Sequence, residues 1–159
     1  MAFFKVVLMD TLTKEGIDVT QGMLDEEIED KTKKIQQALD KNSVSKCFLA
    51  ESEEEILGMV SVNERGEFSK VQLPKVSNDV LEIASLYVKP DYQSTGIGKK
   101  LLNHAVKFLK ERGYEAYILD SGYKNAQKIW KHLLGEPTKV LSDFWEKGCD
   151  HVFWYVSIN

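Results

Sequence analysis

A chain of 159 residues, 43% hydrophobic and 29% charged, has the length for one domain with a substantial core and the composition of a soluble globular protein. A net charge of −4 and a pI near 5.5 argue against a nucleic-acid partner, which needs a clustered basic face, and lean weakly toward cationic small molecules or basic peptides. No segment is long and apolar enough to span a membrane, and MAFFKVVLMD lacks a basic region followed by a long apolar run and cleavage site; no membrane partner and a cytoplasmic location are expected. Cys47 and Cys149 stand alone, which predicts buried free thiols, and three histidines without paired Cys or His spacing give no metal site.

Residues 3–9 form a short apolar run that reads as the first strand. A polar stretch leads to Gly22, and a helix follows in which Leu24, Ile28, Ile35 and Leu39 share one face. Acidic residues from Asp25 to Asp30 crowd its first turns and Lys31, Lys33 and Lys34 come later, the order the helix dipole prefers. A solvated face explains them; an acidic rim that attracts a cationic amine is the sharper alternative. Residues 44–50 and 56–62 read as a hairpin across a charged loop, with Gly58 marking a bulge or a close approach. Residues 63–79 read as a long polar loop, open to substrate contact or to mere connection.

Residues 81–109 organise everything else. Leu81, Ile83, Leu86 and Val88 are the apolar half of a strand, and Pro90 stops its ladder because it has no N–H. Ile97, Leu101, Ala105, Phe108 and Leu109 recur at helical spacing, so a helix beginning close to Gly96 lays one face on the sheet. Between them, Gln93-Ser94-Thr95-Gly96-Ile97-Gly98 carries two glycines that let the backbone turn and leave N–H groups uncovered. Such amides at a helix start favour phosphate. Dipole attraction is worth about 1 kcal/mol and each hydrogen bond to a charged group about 1.5 to 3 kcal/mol, so several donors must converge on one diphosphate. The dinucleotide fingerprint fails because Leu101 stands at its third glycine, and a Walker loop fails at Gln93 and Lys100.

Gly113 closes the helix, residues 116–119 read as a short buried strand, and residues 123–134 read as a helix with Ala126, Ile129, Trp130, Leu133 and Leu134 on its apolar side. This alternation predicts a right-handed crossover with a parallel strand pair. Residues 140–145 and 151–158 read as a terminal hairpin, whose edge offers a route to a homodimer.

The strand ending Leu86-Tyr87-Val88, the proline, the loop from Gln93 to Gly98 and the helix arrive in the order of motif A of the GNAT acyl-CoA N-acyltransferases, Gln/Arg-x-x-Gly-x-Gly/Ala, and this stretch resembles it. Sequence-level likeness is concentrated between Leu81 and Gly135. The resemblance implies an α/β (α+β) fold: a single GNAT-like domain over residues 1–159, with a mixed sheet of about six to seven strands splayed at the cofactor site and about four helices. It implies acetyl-CoA as co-substrate, with no metal. The diphosphate would lie on the amides of Gln93, Ser94, Thr95, Gly96, Ile97 and Gly98, with Lys99 in reach of a phosphate. The pantetheine arm would run beside Leu86, Tyr87 and Val88, and Asn125 and Trp130 are further candidate cofactor contacts. Asn125 reads equally as a helix-start polar residue, and an aromatic such as Trp130 on an apolar helix side is usually core.

The implied chemistry is transfer of an acetyl group to a small-molecule or peptide primary amine by direct attack in a ternary complex. Freeing the lone pair of an amine with a pKa of about 10.4 costs roughly 5 kcal/mol at pH 7, so a base is needed. Glu82 stands eleven residues before Gln93, the spacing of the general base in the histone-directed branch of the family; a solvent-facing glutamate at a strand start is the equal alternative. The Val88 amide is a candidate oxyanion donor. One departure stands out. Aligning Ala126 with the family's Asn-x-x-Ala pattern puts Trp130 where the family's acid tyrosine stands, and an indole N–H cannot serve. Thiolate departure without an acid forfeits only about 2 kcal/mol at pH 7, and Tyr123 is the candidate replacement. A CoA-binding regulator that keeps the cradle without the chemistry is the competing reading.

Overall fold

The computed structural model describes residues 2–159. Its elements run α1 (Ala2–Lys14), α2 (Gln21–Leu39), β1 (Lys46–Glu51), β2 (Ile56–Asn63), α3 (Glu67–Gln72), β3 (Leu81–Val88), a 3-10 turn (Pro90–Tyr92), α4 (Ile97–Glu111), β4 (Ala116–Ser121), α5 (Lys124–Leu134), β5 (Lys139–Glu146) and β6 (Cys149–Ser157). The strands make one six-stranded sheet in the order β1-β2-β3-β4-β6-β5. Only β3 and β4 are parallel, joined through α4 as the strand–helix–strand pattern requires.

One face of the sheet carries α4 and α5. Leu101, Leu102, Ala105 and Leu109 of α4 and Trp130 of α5 pack on Val60, Val62, Leu81, Ile83, Tyr117, Leu119, Val152 and Trp154. Each fully buried side chain of this size contributes about 1.5 to 3 kcal/mol. The α5 core face is narrower than expected: Ala126, Trp130 and Leu134 turn inward, four residues apart, while Ile129 and Leu133 are exposed. The opposite face is covered by α1 and α2, whose Phe4, Val7, Leu8 and Leu24 surround Met59. Beside them, Leu73 caps Ile118 and Phe153.

Two expectations are corrected here. Residues 3–9 are helical, with Phe4, Val7, Leu8 and Leu12 buried at helical spacing. A short run that is apolar except at Lys5 shows no clear period of its own, and the helix extends through Lys14, longer than a strand of the usual length. Residues 63–79 are not all loop, because α3 lies within them and raises the number of α-helices to five among the described residues. Arg65 gathers this segment. Its buried guanidinium donates to the carbonyls of Ser69, Leu73, Val76 and Ser77, and hydrogen bonds from a charged group are the stronger kind.

Strand β3 changes parity. Leu81 and Ile83 face α4, and so do Leu86 and Val88, although a period of two would send the second pair to the other side. The register with β2 shifts between Met59 and Ser61, and Ser85 sits at φ +50°, so an extra residue restores the apolar side. Gly58 marks a close approach: a Cβ there would lie 2.8 Å from the Tyr87 carbonyl oxygen and 3.0 Å from Leu101 Cδ1. Pairing between β3 and β4 is limited to Leu81↔Tyr117 and Glu82↔Ile118. Beyond those two rungs the strands part and leave a gap in the sheet beside the N-terminus of α4. No helix among the described residues is long and apolar enough to cross a membrane, and both cysteines are free and half-buried.

Candidate active site

The wide end of the gap is bordered by the glycine loop. Ser94 at φ +62° and Gly96 at φ +89° turn the chain twice into the left-handed region, and α4 starts at Ile97 without a side-chain cap. The first helical return bond is Lys100 N–H to the Gly96 carbonyl, 3.0 Å. The amides of Ser94, Thr95, Gly96, Ile97, Gly98 and Lys99 take no acceptor among the described residues. Residues 93–96 and Lys99 are exposed, so these donors meet solvent at the positive end of a 15-residue helix. A Cβ at Gly98 would meet Leu86 and Val88 at 3.5 and 3.6 Å, which sets the helix start directly over the end of β3.

The gap-facing edge of β3 has free backbone groups too. Lys89 N–H donates to Leu57 across β2, so by the alternation of an antiparallel ladder the Val88 and Leu86 amides face away from β2, into the gap. The Val88 carbonyl confirms this orientation by accepting from Gln93 Nε2 at 3.0 Å. Gln93 is not an anion ligand through its side chain: Nε2 also reaches Asp10 at 2.9 Å and its oxygen accepts from Lys14 at 2.7 Å. It ties the loop to α1. Tyr87 points to the α2 side, where burial pushes its hydroxyl pKa up to about 12.

Glu82 lies at the narrow end of the gap, on the face away from α4, half-buried, with Oε1 accepting from the Gly66 amide at 3.3 Å. Burial raises its pKa above the ordinary carboxylate value, and the Asp120 carboxylate adds to the rise; Ser69, the Gly66 amide and Arg65 pull the other way. A cavity of about 420 Å³ opens there, lined by Gln37, Ser45, Asn63, Gly66 and Ala84 beside Glu82. Glu82 is thus half-buried at the wall of that cavity.

Tyr123 is the N-cap residue of α5, and its hydroxyl makes no hydrogen bond to the described residues. Burial raises its pKa, and Glu27 and Glu15 add to the rise while Lys31 opposes it. Asn125 and Trp130 sit otherwise than a cofactor role suggests. Asn125 Nδ2 donates to the Lys14 carbonyl at 3.1 Å, and the Glu15 carboxylate accepts from the Lys124 and Asn125 amides at 2.9 and 2.8 Å. An acid from the α1–α2 connection therefore already occupies the N-terminus of α5. Trp130 is buried in the core.

Sequence reasoning passed over Asp120 and His151. Asp120 follows the buried run Ala116–Leu119 and precedes Ser121-Gly122, and an acid at the end of an apolar strand next to a glycine was the available signal. His151 Nε2 and Asp120 Oδ2 are 2.6 Å apart, and Trp145 Nε1 donates to His151 Nδ1 at 3.2 Å. Because Nδ1 accepts the indole proton, the imidazole carries its own on Nε2, directed at Asp120. Among the described residues no group of three or more His, Cys, Asp or Glu side chains is arranged to hold a metal ion.

A parallel strand pair that parts beside an uncapped helix start, with a half-buried carboxylate at the narrow end, is the arrangement with which the comparisons with known proteins agree. The model of the acetyltransferase (GNAT) family matches residues 12–135, more than half the chain, and the protein belongs to that family. It is 34% identical over 77 residues to human N-acetyltransferase 8, a match covering 48% of this chain and 31% of that protein. It is 35% identical over 65 residues to an uncharacterized N-acetyltransferase of Methanocaldococcus jannaschii, covering 40% and 29%. The matches thus span about a third of the length of these curated relatives. Among solved structures, PaiA N-acetyltransferase from Thermoplasma acidophilum, in complex with coenzyme A, aligns over 96% of this chain and 87% of its own with a TM-score of 0.65 at 17% identity. At that identity the likeness bears on the fold.

Proposed function

We propose that the protein transfers an acetyl group from acetyl-CoA to a primary amine by direct attack within a ternary complex. The observation that carries this reading is the run of six amides, Ser94 to Lys99, with no acceptor among the described residues, beside the free edge of β3. Two or three hydrogen bonds to a charged diphosphate at about 1.5 to 3 kcal/mol each, reinforced by the helix dipole, account for micromolar binding without a cationic cage. Lys99, exposed in the first turn of α4, adds a mobile positive charge.

The edge amides of Leu86 and Val88 offer the pantetheine arm the hydrogen bonds of a missing strand. Glu82, with its raised pKa, takes the proton that the attacking amine must lose, and the Val88 amide faces the gap where negative charge would develop on the thioester oxygen. Tyr123, with a free hydroxyl, protonates the leaving thiolate. Trp130 has no part in that step, being core.

The test is to mix protein, acetyl-CoA and a panel of amines and follow free thiol. Amine-dependent release is expected. A thermal shift with CoA but no amine-dependent thiol would instead support the regulator reading, for which the loss of the helix tyrosine to Trp130 is the motive.

A further inference from the structure

On the face away from α4, the gap opens beside a cluster of rings. Phe68 of α3 lies 4.9 Å from His151 and 5.3 Å from Phe144, and Phe144 lies 5.0 Å from Trp145, centroid to centroid. His151 is buried beneath them, yet Phe68, Phe144 and Trp145 remain 37%, 42% and 62% exposed. Three adjoining large rings left in water mark a binding surface more often than chance.

The chain holds this wall in place. The indole N–H is bonded to His151, and Gly122 makes room for it, since a Cβ at that position would stand 2.6 Å from Trp145 Nε1. The wall also has a charged foot. Glu82 and Ile118 are the last rung of the parallel pair, so Asp120, two residues on, shares their face just past the point where the strands part. Its Oδ2 is taken by His151, while Oδ1 has no partner among the described residues and the side chain is 29% exposed. A carboxylate at the gap, a second at its narrow end and rings above them complement a molecule with an ammonium at one end and a flat apolar body at the other.

We infer that the acceptor is an arylalkylamine: a primary amine whose ammonium pairs with Asp120 on its way to Glu82 and whose ring lies against Phe68, Phe144 and Trp145. This rests on the amine-acetylation reading above. A linear polyamine would satisfy the carboxylates but leave the rings wet.

The experiment compares 2-phenylethylamine, n-butylamine and spermidine at fixed acetyl-CoA, by thiol release and by saturation-transfer NMR in the presence of CoA. The wild type should favour 2-phenylethylamine in kcat/KM by about tenfold or more. Trp145→Ala, at an exposed site, should raise its KM about tenfold with kcat within about twofold, and raise the KM for n-butylamine, which meets Asp120 but not the rings, by a clearly smaller factor. Gly122→Ala, whose methyl would crowd both Trp145 Nε1 at 2.6 Å and His151 Nδ1 at 3.2 Å, should act in the same direction. Equal or better use of spermidine by the wild type, or an unchanged KM in both variants, overturns the inference. If no amine releases thiol, the transfer reading fails; saturation transfer to the phenyl ring that is lost in Trp145→Ala still supports the ring wall, and its absence in the wild type refutes it.

Discussion

The two ends of the gap in the sheet are built in opposite ways. The loop end, proposed for the diphosphate, is backbone: six consecutive amides set by two left-handed residues and a helix start, with the Gln93 side chain fastening the loop to α1. The other end, proposed for the acceptor, is chiefly side chain: Glu82 from β3, Asp120 from β4, His151 from β6 and Trp145 from β5, with Phe68 and the Gly66 amide from the segment that Arg65 gathers. Backbone donors recognise a group every acyl-CoA shares, so little more than glycine and a helix is required. Selectivity for an acceptor needs particular atoms brought from distant parts of the chain.

That contrast can be broken from the acceptor end first. Replacing Glu82 by Gln should lower kcat/KM at pH 7 by about a hundredfold or more, the usual contribution of a positioned base, and should abolish the rise of kcat/KM with pH that tracks Glu82. Its stability effect has the opposite sign. Because the folded-state pKa is raised, the native state holds the proton more tightly than the unfolded chain, and the resulting stabilisation is lost as pH rises through the raised value. Glu82→Gln, neutral throughout, should therefore melt higher than the wild type at pH 7 and no higher at pH 4, by calorimetry.

At the diphosphate end, Gly96→Val places a β-branched residue at φ +89°. Relief of that strain should dissolve the convergence of amides and weaken CoA binding about a hundredfold, two charge-assisted hydrogen bonds being lost. Titration calorimetry would measure it, with circular dichroism confirming the fold. Tyr123→Phe should slow turnover by no more than about thirtyfold, because a thiol of pKa near 8.5 is a tolerable leaving group at pH 7; the deficit should shrink at higher pH. Gln93→Ala is the mildest, raising the KM for acetyl-CoA about threefold, since it loosens the loop without removing a donor.

What the sequence disclosed follows the same division. The loop, the parallel crossover and both hairpins were legible because each rests on contiguous residues with one period or one turn signal. The helix at Ala2–Lys14 was hidden because residues 3–9 are apolar at every place but Lys5, which suits a strand or a buried helix equally. The extra residue at Ser85 went unread, although the odd spacing from Ile83 to Leu86 is its signature. Asp120, His151 and Trp145 meet only through the pairing of β4 with β6 and β6 with β5, a register that no local pattern encodes. Asn125 illustrates the converse: a polar residue at a helix start looked available, but tertiary packing had already engaged it with Lys14.

The most direct measurement is amide NMR of the labelled protein during titration with CoA. The N–H resonances of Ser94 to Lys99 should move together and saturate with the calorimetric affinity, while pantetheine, lacking the diphosphate, should leave them in place. Saturable CoA binding with those six resonances unmoved would contradict the account.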